Sequence, residues 1–163
     1  IVVEIGSFYG RSTYCWASSA PHSTVYCFDQ WGGEAEPRGR ITMKERIVYG
    51  YPLPGERNTL ENFKSNVRSL SNVRHQRVQS PSEIVWGAEK PDVVFIDAAH
   101  CNPIDRSYID FWLPRIKFGG YICGHDYNVK AFPDVMDNVE YILEMTMSKV
   151  ETFEHGNLWR IKV

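Results

Sequence analysis

Apolar positions fall into two patterns along the chain. Short, nearly continuous apolar runs recur in "IVVEI", "TVYCF", "DVVFI" and "YIC". Their length and β-branched content fit strands buried on both faces. Between them, apolar residues return at helical spacing. "RSTYCWASSA" reads as a helix stopped by Pro21. "TLENFKSNVRSL" sets Leu60, Phe63, Val67 and Leu70 on one helical face. "NPIDRSYIDFWLPRIK" is a helix entered through Pro103, with Tyr108, Phe111 and Trp112 as its core, and "DVMDNVEYILEM" is another. "NVRHQRV" is a weaker third strand, and "SPSEIVW" reads as a short helix with Pro81 in its first turn. The fifth strand, "GGYICGHDYN", is expected to end near Asp126. The tail "KVETFEHGNLWRIKV" reads as two strands around His155-Gly156, a hairpin signal.

Strand and helix alternate, then a hairpin closes the chain. That order predicts an α/β, Rossmann-like, doubly wound sheet with helices on both faces. Residues 1–163 are expected to form a single domain. One stretch, Gln30 to Asn58, is too long and too rich in glycine and proline for an ordinary connection, and it reads as a lid-like insertion.

Composition narrows the function classes. Hydrophobic residues make up 43% of 163, which supports a real core. Net charge is -2 with no basic block, so a dedicated nucleic-acid binder is disfavoured. No apolar run nears the roughly 18 residues of a membrane span. The four cysteines form no C-x-x-C pair, and a reduced, cytoplasmic setting is expected. The chain opens on Ile1 inside a strand, so a preceding segment is expected.

Candidate chemistry gathers at the strand ends, where open α/β sheets bind ligands. Glu4, Asp29, Asp97 and Asp126 lie at or near four of them. The first turn, G-S-F-Y-G, lacks the dinucleotide fingerprint, because Phe8 stands where the second glycine would meet a pyrophosphate. Glu4 would also oppose phosphates. These residues suit a ligand with a nucleoside at one end and a cation at the other. Asp29, roughly 20 residues past Gly10, suits two ribose hydroxyls. Glu4 suits an ammonium or sulfonium, and Gly6 and Gly10 let the backbone pass the ligand. S-adenosylmethionine meets that description. An NAD-type oxidoreductase and a non-catalytic S-adenosylmethionine-binding module are the alternatives.

"VEIGSFYGRST", "VYCFDQW" and "DVVFIDAAH…YIDFWLPRIKFGGYICGHDY" resemble the class I S-adenosylmethionine-dependent methyltransferases, and most of all the small-molecule and sugar O-methyltransferase group. The resemblance implies a seven-stranded sheet, mostly parallel, with an antiparallel C-terminal strand. It implies methyl transfer to a small-molecule acceptor, and from charge and hydropathy no nucleic acid or membrane is expected as a partner. Glu4, Gly6, Ser7, Phe8, Tyr9, Gly10 and Ser12 would form the methionine side of the cofactor site. Asp29 and Gln30 would take the ribose and the adenine edge, Gln79 and Ser80 the adenine, and Asp97 would lie beside the methyl donor. Some relatives hold a divalent metal of the magnesium type. Asp97 and Asp126 match two of its ligands, but Tyr127 departs from the third, leaving His100, His125 or Asn128 to fill in. His100 and His125 are candidate general bases beside Asp97, or else histidines that order their loops. Trp31 is either a platform for adenine or packing. His22, His75 and His155 read as surface or turn residues. Arg38, Arg40, Arg46 and Arg57 read as a solvated group.

Overall fold

The alternation read from the sequence becomes seven strands: β1 (Val2–Ile5), β2 (Val25–Asp29), β3 (Val73–Arg77), β4 (Val93–Ile96), β5 (Tyr121–Gly124), β6 (Val150–Phe153) and β7 (Leu158–Lys162). In this computed structural model the described residues are 1–31, 59–127, 130, 132–153 and 157–163. The lid reading beyond Trp31, the arginine group, Asn128 and the His155-Gly156 turn lie outside them. The strands form one sheet in the order β3-β2-β1-β4-β5-β7-β6. β1 to β5 pair in parallel, and β7 runs antiparallel to both β5 and β6. The expected doubly wound topology is therefore present.

Four helices are described: α1 (Arg11–Ser19), α2 (Thr59–Val67), α3 (Ile104–Trp112) and α4 (Pro133–Thr146). Side chains alternate across the sheet, so β1 feeds two cores. Val3 and Ile5 join a cluster with Ile109, Trp112, Val139 and Ile142. Val2 faces the other way, among Ala17, Val25, Cys27, Phe63 and Val67. Ile5 pairs in register with Phe28 on one side and Ile96 on the other, so β1, β2 and β4 end almost level. The chain leaves β1 toward β2 on one flank, while β4 lies on the other. That reversal is the switch point where such sheets open a crevice.

Two elements differ from the sequence reading. "SPSEIVW" is only a 3₁₀ turn, Pro81–Glu83. The Gln76 side chain explains it: Nε2 donates to the Glu83 carbonyl at 2.8 Å, and Oε1 accepts the Val85 N–H at 3.2 Å. A strand side chain thus satisfies backbone groups that a longer helix would have paired. The long helix after Pro103 stops being α-helical at Trp112 and tightens to 3₁₀ over Leu113–Arg115, where Pro114 offers no N–H. No described helix is long and apolar enough to cross a membrane.

Candidate active site

The turn after β1 is held from three directions. Gly6 has φ +89°, and a Cβ there would overlap the Asp97 carbonyl oxygen at the end of β4. Gly10 has φ +83°, and a Cβ there would lie 3.0 Å from Phe63 and Val67 of α2. Both glycines, read from sequence as passages for a ligand, are demanded by contacts within the protein. Between them Phe8 adopts φ 44°. Its N–H donates to Asp29 Oδ2 at 2.8 Å, and its carbonyl accepts the Trp31 indole N–H at 2.8 Å. The Trp31 backbone N–H donates to Asp29 Oδ1 at 2.6 Å. Asn66 of α2 donates to the Tyr9 carbonyl at 2.9 Å. Trp31 is only 4% exposed and packs on Phe63, with ring centroids 4.8 Å apart. Its indole is packing beneath the turn, the second of its two sequence readings.

Glu4 lies under this turn, opposite Cys27 in register and fully buried. The Thr13 hydroxyl donates to its Oε2, while Oε1 and the Ser7 hydroxyl are buried with no well-formed hydrogen bond. Burial pushes the Glu4 carboxyl above its ordinary range, against the Ser12, Thr13, Ser7 and Cys27 side chains that face it. Burial also raises Asp29, opposed by the backbone N–H groups of Trp31, Phe8 and Gln30. Each Asp29 oxygen accepts one well-formed backbone N–H bond, and the Gln30 N–H is also turned toward the carboxylate. Gln30, Gln79 and Ser80 form the rim beyond β2 and β3. The Gln30 carbonyl accepts Arg77 Nε at 2.7 Å, the Gln79 N–H donates to Glu83 at 2.9 Å, and the Ser80 and Ser82 hydroxyls lie 2.8 Å apart.

The ends of β4 and β5 bring four expected residues together. His100 Nε2 lies 2.9 Å from Asp97 Oδ1 and 3.1 Å from Asp126 Oδ2. His125 Nδ1 lies 3.0 Å from Asp126 Oδ1. Burial alone would push the His100 pKa down. The hydrogen bond and charge of Asp97, with the charges of Asp126 and Asp105, outweigh it and set the pKa above the ordinary histidine value.

Sequence reasoning missed Asp105. It is 4% exposed, and its Oδ1 accepts the Ala99 N–H at 3.0 Å, with the amides of His100 and Cys101 also turned toward it. Asp105 thereby holds the loop that presents His100. A signal existed: Asp105, Tyr108, Ile109 and Trp112 form one buried helical stripe, and its first member is an acid.

Among the described residues, five non-glycine positions have positive φ. Phe8, Trp31, His100 and Asp126 follow the carboxyl ends of β1, β2, β4 and β5, and the fifth, Met147, ends α4. Backbone conformations of this kind persist where the surroundings over-determine them, and they concentrate at functional sites.

A family model described as a methyltransferase domain matches residues 3–127, which include every strand end just described. The chain belongs to this family. No curated protein matches it by sequence. Among solved structures, this methyltransferase domain is similar to a protein assigned as a caffeoyl-CoA O-methyltransferase from Staphylococcus aureus. The TM-score is 0.64 at 15% identity, over 99% of this chain and 74% of that one. It is similar to a precorrin-6y C5,15-methyltransferase from Geobacter metallireducens, with TM-score 0.61 at 16% identity over 99% and 77%. It also resembles the N-methyltransferase NodS from Bradyrhizobium japonicum, solved with S-adenosylhomocysteine, with TM-score 0.57 at 13% identity over 99% and 76%. At such identities the likeness is one of fold.

The methyltransferase fold makes a metal at Asp97 and Asp126 a natural question. Donor atoms of Asp97, His100 and Asp126 all lie within 4.8 Å of one another. Magnesium takes oxygen ligands in near-octahedral array. Here the third donor is an imidazole nitrogen, and it already stands where two carboxylates would share a cation. The described donor set does not fit magnesium.

Proposed function

We propose that this methyltransferase domain uses S-adenosylmethionine to methylate a hydroxyl of a small-molecule acceptor. The observation that carries the reading is His100 held between Asp97 and Asp126, next to a β1 turn whose Gly6 abuts Asp97. The first turn supports the cofactor reading: the Glu4 Oε1 and the Ser7 hydroxyl are buried beneath it with no well-formed hydrogen bond. Glu4, Gly6, Ser7, Phe8, Tyr9, Gly10 and Ser12 would hold the amino-acid end, and Asp29, Gln30, Gln79 and Ser80 the nucleoside end. When bound, the cofactor supplies an electrophilic methyl group on a sulfonium.

The chain's own groups then do the remaining work. With His100 Nε2–H directed at two carboxylates, Nδ1 is the nitrogen left to accept a proton, a tautomer assigned from its partners. Asp97 and Asp126 stabilise the imidazolium that forms when the acceptor hydroxyl loses its proton, as a carboxylate does for a base histidine elsewhere. His125, held by Asp126, is the second candidate for that role. Acids and histidines at the strand ends, with a net charge of -2, favour a neutral or cationic small molecule over a polyphosphate chain.

Calorimetric titration with S-adenosylhomocysteine and with NAD tests the cofactor. The first should bind at micromolar strength, about -8 kcal/mol, and the second should not bind. Turnover against a panel of hydroxyl acceptors tests the chemistry. His100→Ala should lower it by about 100-fold or more, the scale of general-base catalysis, with S-adenosylhomocysteine affinity unchanged. Tight NAD binding would overturn the cofactor, and cofactor binding without any turnover would leave a binding module.

A further inference from the structure

Three hydrogen bonds join Asp29, Phe8 and Trp31 in a closed ring. Asp29 Oδ2 takes the Phe8 N–H, Asp29 Oδ1 takes the Trp31 N–H, and the Phe8 carbonyl takes the Trp31 indole N–H. Two members, Phe8 and Trp31, have left-handed backbones at φ 44° and 38°. Neither conformation is preferred by a bulky L-residue, so something must hold each. The indole is also the contact between the two ends of the turn. Its N–H reaches Phe8, and its ring packs tilted, 4.8 Å between centroids, on Phe63, whose edge would lie 3.0 Å from a Cβ at Gly10.

We propose that Trp31 is a positioning residue for the cofactor: its indole N–H fixes the Phe8 turn and the aim of the Asp29 carboxylate before any ligand arrives. The inference rests on the cofactor reading above. Trp31 is buried, so it acts through Asp29 and Phe8 without touching the ligand. Without the indole N–H, Phe8 keeps a single tie to β2, and its left-handed conformation becomes one state among several. Binding must then select the competent state, and affinity falls by the fraction of time that state is populated.

The test removes the N–H and keeps an aromatic ring. Trp31→Phe does so by mutation. Replacement of Trp31 by benzothienylalanine, which exchanges only the indole N–H for sulfur, does so with the packing on Phe63 retained, and it covers the case in which the phenylalanine variant folds poorly. Amide hydrogen exchange and calorimetry with S-adenosylhomocysteine are then read on the same samples. Amides of residues 8–10 should exchange about 10-fold faster in both variants, with those of β1 and β4 within twofold of the parent, and the dissociation constant should rise about 10-fold. Parent-like affinity in both variants overturns the proposal. So does faster exchange spread evenly through β1 and β4, which makes Trp31 a general stabiliser of the fold. If the unmutated protein does not bind S-adenosylhomocysteine at all, the cofactor reading fails and the proposal falls with it. Binding by the parent together with equal binding by both variants sinks the proposal alone.

Discussion

Glu4 sits in a buried strand and carries an acid where its neighbours carry valine and isoleucine. Its folded pKa is raised by burial. A raised carboxyl pKa means that the folded state binds the proton more tightly than the unfolded one. The stability linked to Glu4 is therefore full below its ordinary pKa and is lost as pH rises through the folded value. Glu4→Gln preserves the uncharged form at every pH. It should melt above the parent at pH 8, and the gap should close as pH falls toward 4. Each pKa unit is worth about 1.4 kcal/mol, and 1 kcal/mol moves Tm by about 2–4 °C at this size. Thermal melts across that range check it, and a gap that does not vary with pH would clear Glu4 of the effect. The same variant should bind S-adenosylhomocysteine more weakly, because Oε1 is the acceptor proposed for the ligand's cation. At this scale the sequence marked Glu4, Asp29, Asp97 and Asp126 as strand-end acids but not how they are enclosed. Glu4 was legible as an acid inside an apolar run. That Cys27 and Thr13 close over it depends on the β1–β2 register and on how α1 packs against the sheet, which no local pattern encodes. Asp105 is the reverse case: its helical stripe was visible, and the acid in it went unread.

Among the elements, strands were legible wherever an apolar run was buried on both faces, as in β1, β4 and β5. The crossing between β3 and β4 was misread because Gln76, a residue on a neighbouring strand, took the backbone groups that a helix would have used. The glycines of the first turn were legible as glycines required by close approach, yet what approaches was not. Gly6 meets the backbone of Asp97, which cannot move without shifting β4, whereas Gly10 meets side chains that can give by a few tenths of an ångström. Gly6→Ala should therefore unfold the domain or cost more than about 4 kcal/mol, the exceptional class of point changes. Gly10→Ala should cost about 1–2 kcal/mol, the left-handed backbone penalty for a side chain. Urea denaturation of the two variants gives the comparison, and equal losses would contradict the distinction.

For the whole molecule, the order of strands and helices was enough to anticipate the sheet, because alternation leaves few ways to pack helices on a parallel sheet. The methyl acceptor was not legible. Similar folds belong to proteins named as O-, C- and N-methyltransferases, so the sheet by itself names no acceptor. The proposed metal-free route makes a prediction at this scale. Turnover should stay within about twofold of the untreated enzyme after EDTA treatment and dialysis. Abolition by EDTA with rescue by magnesium would make Asp97 and Asp126 ligands and remove His100 from the centre of the site.

The abutment of Gly6 on Asp97 has a practical corollary for engineering. A popular way to label methyltransferase products is to enlarge the cofactor, replacing its methyl group with a longer alkyl chain, and to carve a matching hole in the enzyme. On the cofactor pose proposed above, the floor under the sulfonium end would be the Gly6 and Asp97 backbones in contact, from which no side chain can be trimmed. Room would have to come from a side chain instead, such as Phe132, whose ring lies 4.7 Å from that of His100, the proposed base. Phe132→Ala is expected to accept allyl-type cofactor analogues that the parent rejects, as judged by mass of the alkylated product, while trimming residues around Gly6 should yield none.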